Sequence, residues 1–241
     1  TNLTGSNYEL ANGYLVDNFT QEQLDSAITD GSYQYNANGP LVINGHKIEP
    51  WGDFTGADLS NADLSGVNLQ SAILKGANLS GTNLNGANLE DAHLTGADLT
   101  GADFTGANLN GAVIEGVDTI LLNSNFYQAD FTGANLQGAD FSGVNLSETN
   151  LSGNAYLRYI NLTGANLTDA NLSGANLGNA ILINANLSGA NLYDVGFNNS
   201  NLSGANLENA NLTDTSFSEA TLTGTNLTGS NYELANGYLV D

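Results

Sequence analysis

The chain has no cysteine and no methionine, only 2 prolines and 2 histidines, and 3 Lys+Arg against 25 Asp+Glu in 241 residues. Each shortage excludes something. Without Cys there is no disulfide framework and no thiolate site, and His46 and His93 are too few for a multi-His metal centre. Three basic residues cannot neutralise the phosphates of a nucleic acid, and a net charge of -22 repels them. No run of about 18 apolar residues is present to span a bilayer, and no basic-then-apolar N-terminus reads as a signal peptide. The chain opens at Thr1 and not at a methionine, which points to a processed or excised chain.

What is there begins with a self-overlap. Residues 1–17 read TNLTGSNYELANGYLVD, and so do residues 225–241, an offset of 224 residues. Seventeen identical residues do not arise by chance, so the sequence reads as one module of a longer array, natural or engineered. Residues 1–17 are then the end of a preceding module, 18–51 a junction insert, 52–234 the body, and 235–241 the start of the next junction.

A finer period lies inside the body. From Phe54 an apolar residue recurs every five positions to Ile114; the register slips by two, resumes from Phe126 to Leu151, slips by one, and continues from Leu157 to Tyr232. Of these 35 central positions 26 are Leu; Ala stands two before the centre in 23, and Asn or Asp one before it in 27. The motif is A-[ND]-L-[ST]-G, which strongly resembles the pentapeptide-repeat family over about three quarters of the chain.

A period of five matches neither the 3.6 of a helix nor the 2.0 of a strand, so neither keeps the leucines on one side. A chain that turns a corner every five residues does, with the centre and Ala facing inward and Gly relieving the corner. The expected fold is therefore an all-β solenoid. The resemblance implies a right-handed quadrilateral β-helix with four repeats per coil, hence about nine coils and, at about 4.8 Å per coil, a rod on the order of 40 Å long. Its open ends need a cap or a partner.

Residues 18–51 break the pattern. Thr20-Gln21-Glu22-Gln23 has capping-box spacing, Leu24, Ala27 and Ile28 make one apolar face, and Gly31 fits a helix stop, so a short helix is predicted. Leu41-Val42-Ile43 and His46-Lys47-Ile48 flank Asn44-Gly45, which predicts a β-hairpin with a type I′ turn. The apolar Leu41, Val42, Ile43, Ile48 and Trp51, with Tyr232 and Tyr238 at the other end, are candidate junction residues; the insert is either a packed junction or a linker.

Departures from the motif are concentrated. Numbering four faces from Phe54, the position before the centre on the first face runs Asp53, Ile73, His93, Val113, Asn135, Tyr156, Asn176, Gly196, Ser216. Six of the eight central motifs lacking Asn or Asp fall in this column. The body's only basic residues, Lys75 and Arg158, also fall on this face. Ile73, Lys75, His93, Val113, Tyr156, Arg158 and Tyr159 are thus a candidate contact face, against the blander reading that a repeat protein tolerates scattered apolar substitutions. The next face is expected to carry Asp58, Asp98, Asp118 and Asp140. Stacked Asn and Asp are read as structural ladders; the Asp spacing of about 10 Å is too wide for one ion to bridge, leaving diffuse divalent cations as the expected counter-ions.

No nucleophile elbow, phosphate loop or paired carboxylate is visible, so no catalytic residue, cofactor or specific metal is assigned and an enzyme is not expected. The N-L-[ST] triplets match glycosylation sequons only because the repeat generates them. Two functions stay open. One is a structural module whose partners are copies of itself, building an extracellular or cell-surface filament, sheath or layer; the sparing use of oxidisable residues suits such a place, and neither nucleic acid nor membrane insertion is expected. The other comes from the resemblance, which implies that an acidic member can mimic DNA and bind a topoisomerase. Sixteen acidic residues between Phe54 and Tyr232 give about two per coil. A duplex carries one charge per about 1.7 Å, so a matching face needs nearly three per coil.

Overall fold

A computed structural model describes residues 41–236 throughout and the backbone of residues 7–9 and 15–17. Two short antiparallel ladders lie near the N-terminus: β1 (Asn7–Glu9) with β2 (Leu15–Asp17), and β3 (Val42–Ile43) with β4 (His46–Lys47). In the second, Asn44 and Gly45 both take positive φ, 48° and 85°, as the predicted type I′ turn demands. The helix predicted from Thr20 to Gly31 lies outside the described residues.

From Asp53 the chain winds into nine four-sided coils. Nearly every side is joined to the coils above and below by parallel bridges made by the residue before the centre: Asp53 to Ile73, Ile73 to His93, and so on to Ser216 and Asn236 on the first side; the second side has no bridge between Ile120 and Asp140. The local cause is the same at nearly every corner. The residue two after the centre has positive φ, and the residue three after it donates its N–H back to the central carbonyl, as Ala57 does to Phe54 at 2.9 Å. That is a type II turn, and it returns the chain by one side of a square. Gly81 shows why glycine recurs there: φ is 65°, and a Cβ would sit 2.6 Å from Asn61 Oδ1 of the coil below.

The axis is filled as expected. Leu59, Leu64, Leu69 and their successors are fully buried, and the Ala positions beside them let the walls approach. Phe104 stacks on Phe126 at 4.6 Å, and Phe126 touches Phe131 and Phe141 at 5.3 and 5.7 Å, an aromatic column in the middle of the rod. Where Thr or Ser replaces Ala, its hydroxyl is satisfied: Thr82 donates to the Leu59 carbonyl at 2.8 Å and Thr215 to that of Leu192 at 2.7 Å.

Both register slips are looped out at corners. After Ile114 the chain bulges through residues 115–119 and regains register with Ile120, which bridges Asp98. Thr119 is buried in an Ala position and its hydroxyl accepts the Gly96 N–H at 2.9 Å, replacing the carbonyl that the bulge removes. Leu121 is therefore a central residue, and it is the one the five-residue count passes over. The second slip adds one residue at Gly153-Asn154, both with positive φ, before Tyr156 bridges Asn135.

The two ends differ. At the N-terminal end the β3–β4 hairpin lies against the first coil: Ile48 is buried, Leu41 and Ile43 pack on the core, and Asn44 Nδ2 donates to the Asp58 carbonyl at 2.8 Å. His46 stands edge-on to Phe54 at 6.3 Å, a packing role. At the C-terminal end Tyr232, expected as the last central residue, instead opens a 3-10 turn (Tyr232–Leu234) and is 40% exposed. The cause is Asn231, whose side-chain Oδ1 takes the Leu212 N–H at 2.6 Å in place of a backbone carbonyl and so releases the strand. The identical residues Asn7–Glu9 form a strand in β1, paired with Leu15–Asp17, where Asn231 is instead held by Asn211 and Leu212 of the eighth coil.

Candidate interaction face

The outward residues divide the rod in two. On the third face, Asn145 Nδ2 donates to Asn125 Oδ1 at 2.8 Å, Asn166 to Asn145 at 3.1 Å, Asn206 to Asn186 at 3.1 Å and Asn226 to Asn206 at 2.8 Å. On the fourth, Asn150, Asn171, Asn191, Asn211 and Asn231 each donate to the residue one coil below, from Asp130 upward. The same oxygens also accept the N–H two residues on, as Asn145 Oδ1 does from Ser147 at 3.2 Å. Asp accepts but cannot donate, so Asp103 and Asp130 each begin a new run. At the start of the rod this turn bonding holds Asp53, Asp58 and Asp63 below the usual carboxylate range; in each the side-chain hydroxyl two residues on (Thr55, Ser60, Ser65) is the main cause, with its backbone N–H next.

Among the described residues the first face has no continuous ladder, only two isolated bonds between coils: Asn135 Nδ2 donates to Glu115 Oε2 at 2.8 Å, leaving Oε1 for other partners, and Ser216 Oγ donates to Asn198 Oδ1 at 2.7 Å. Its leading column is bridged in the order read from the sequence, Asp53, Ile73, His93, Val113, Asn135, Tyr156, Asn176, Gly196, Ser216. Its trailing column, one after the centre, includes Lys75, Thr95, Glu115, Gln137, Arg158, Gly178, Asn198 and Ser218, stacked by the corner N–H bonds of Gly56, Gly116, Gly138, Tyr159, Asn179 and Asn199. Ile73, Tyr156 and Tyr159 are exposed, while His93 and Val113 are half-buried. Lys75 and Arg158 are exposed and form no ion pair among the described residues; Arg158 lies 5.4 Å from the Tyr159 ring centre and over Gly178, where a side chain would meet its Nε. Lys47 pairs with Glu49 in the hairpin instead.

The candidate contact residues therefore share one face, with Tyr159 at the corner to the second. The candidate junction residues do not come together: Leu41, Val42, Ile43, Ile48 and Trp51 are at one end of the rod and Tyr232 at the other, Val42 and Trp51 are about half exposed, and Tyr238 lies outside the described residues.

The second face needs a correction. Asp118 is not in its column: the bulge carries it outward, and Ile120 bridges Asp98 in its place. The column thus holds Asp58, Asn78, Asp98 and Ile120, with Asp140, Asn161 and Ile181 further along. Val117, Ile120 and Leu122 are exposed together, around a shallow hollow of about 270 Å³ that Asp140 and Ser142 also line. Sequence reasoning missed these residues because the count ran forward from Ile114; counting back five from Phe126 lands on Leu121 and brings Ile120 and Leu122 with it. Among the described residues no group of three His, Cys, Asp or Glu side chains is placed to hold a metal ion, and no helix is long and apolar enough to cross a membrane.

Fold and face together define a four-sided β-solenoid with a filled axis, whose chemistry lies on its outer walls. Residues 53–86, 82–118, 119–153, 160–199 and 190–229 match the family described as pentapeptide repeats, in 8 copies, and the chain belongs to that family; the solenoid is its right-handed quadrilateral β-helix. Among solved structures it is similar to HetL, a pentapeptide-repeat protein involved in heterocyst differentiation regulation from the cyanobacterium Nostoc sp. strain PCC 7120, at 28% identity over 90% of this chain and 94% of that one, with a TM-score of 0.33. It is also similar to QnrB1, a plasmid-mediated fluoroquinolone resistance protein, at 22% identity over 66% of this chain and 86% of that one, with a TM-score of 0.52. A third, Rfr23 from the cyanobacterium Cyanothece 51142, is 26% identical over 56% of this chain and 90% of that one, with a TM-score of 0.30. No curated protein matches the chain.

Proposed function

We propose that the protein is a non-enzymatic structural module that acts by associating with copies of itself, in a tandem or head-to-tail array that builds an extracellular filament, sheath or surface layer. The observation that carries this is the identity of residues 1–17 with 225–241, an offset of 224 residues that a self-contained binding protein does not need. Three features support it. The rod is stiffened by stacking of each coil on the next, so its stability is local and grows with length. A hairpin lies against one end, while at the other the described residues pass through a 3-10 turn at half-exposed Tyr232, a difference that suits polar joining. The first face keeps Lys75 and Arg158 exposed on a protein of net charge -22, where Arg158 can meet a carboxylate of a neighbour.

The acidic DNA-mimic reading is the weaker one. Its support is net charge, and that charge is dispersed: the first face presents both signs, and the third and fourth are mostly neutral amides. Negative-stain microscopy of the 241-residue chain tests the two. Concentration-dependent strings, sheets or paired rods are expected; monodisperse single rods that compete with DNA for a topoisomerase would sink the assembly model.

A further inference from the structure

The first face is complementary to itself. We propose that two copies of the chain pack these faces together antiparallel, about a two-fold axis that lies between the rods, runs across them and passes over the fifth coil. This rests on the self-association reading and specifies its surface and register.

Such an axis lays the leading column on the leading column and the trailing column on the trailing column, and sets each coil against the one equally far beyond the fifth. The consequences can be read off the columns. Glu115, on the fourth coil, meets Arg158, on the sixth, and the symmetry makes the pair twice. Ile73, on the second coil, meets Gly196, on the eighth: an exposed branched side chain opposite a residue with none. Half-buried Val113 meets the exposed ring of Tyr156, and Gln137 on the fifth coil meets its own copy at the axis. In this register the Glu115–Arg158 charges, the Ile73–Gly196 sizes and the Gln137 polarity match, while Lys75 meets the neutral Asn198. The other two-fold arrangement, with rods parallel, lays each leading column on a trailing one within the same coil; Val113 then covers Glu115 and Ile73 covers Lys75, and no opposite charges meet. Both rods carry the same spacing of about 4.8 Å per coil, so contacts stay in step along the whole length. A face about 40 Å long and about 10 Å wide is at the low end of specific interfaces, so the pair is weak and concentration-dependent.

Because the chain has no Cys, single cysteines report the geometry directly. Under mild oxidation Gln137→Cys is expected to give a disulfide-linked dimer, while Ser147→Cys, on the third face of the same coil, is not. Lys75→Cys alone stays monomeric but cross-links when mixed with Asn198→Cys; in a parallel pair it would cross-link with Ile73→Cys instead. In sedimentation equilibrium Glu115→Arg and Arg158→Glu are each expected to weaken the dimer about tenfold, and the double exchange to restore it. Glu208→Arg, on the third face, makes the same charge change as Glu115→Arg and controls for net repulsion. Assemblies that survive every one of these variants would leave self-association standing and overturn this face-to-face register. A chain that sediments as a monomer at all concentrations, or a double exchange that fails to restore what the single ones removed, overturns it as well.

Discussion

The third and first faces share one core and one backbone ladder and differ almost entirely in what they show to water. On the third, each amide oxygen takes its own turn N–H, and most also bond the amide of a neighbouring coil. On the first, Ile73, His93, Val113 and Tyr156 offer no such bond, yet the backbone pairing continues unbroken: Phe54 N–H to Ile73 O at 2.7 Å, Leu136 N–H to Tyr156 O at 2.9 Å. Side-chain ladders are therefore an addition to the coil and not a condition of it. A face released from ladder duty can carry other residues, and the departures from Asn and Asp collect on the first face and, through Ile120, Ile181 and Thr221, on the second.

That contrast can be attacked at four depths. Phe126→Ala removes the hub of the aromatic column that lies under every face, and a loss of about 3–5 kcal/mol in urea unfolding is expected. Asn145→Ala breaks a ladder bond on each side and the turn bonds of Ser147, for an expected loss of about 1–2 kcal/mol. Tyr156→Ser, at the same kind of position on the first face, is expected to shift stability by no more than about 0.5 kcal/mol. Equal losses for Asn145→Ala and Tyr156→Ser would erase the distinction between the faces. The smallest effect is with acid. Asp53, Asp58 and Asp63 have folded pKa values depressed by their turn hydroxyls, so their contribution is fully present above the ordinary 3.8 and is lost as pH falls through the folded values. Melting temperatures between neutral pH and pH 2 should fall less steeply in the triple variant Asp53→Asn, Asp58→Asn, Asp63→Asn than in the parent.

Much of this was legible in the sequence because one residue in five reports on the interior. Leu and Ala at fixed offsets declare which side chains face in, and the family resemblance implies four corners per coil; together they place the first-face column from Asp53 to Ser216. The hairpin at Asn44-Gly45 was equally plain, since two positive φ values leave few residue choices. The second face was misread for a reason that lies in the chain. An insertion has no signature of its own, and between Ile114 and Phe126 both Thr119 and Leu121 are buried, so a forward count loses the frame there. Tyr232 was misassigned because its fate is decided by a neighbour: Asn231 spends its side chain on the Leu212 N–H, and no periodicity records that.

The bulge at residues 115–119 implies a tolerance that the repeat by itself would not suggest. Two extra residues there, and one more at Gly153-Asn154, leave every later column in line, so the rod counts corners and ignores the length of chain spent at each. Foreign loops grafted between Val117 and Asp118 should leave the spacing above and below untouched, so the corner can serve as a display post whose cargo changes while the shaft beneath it stays the same.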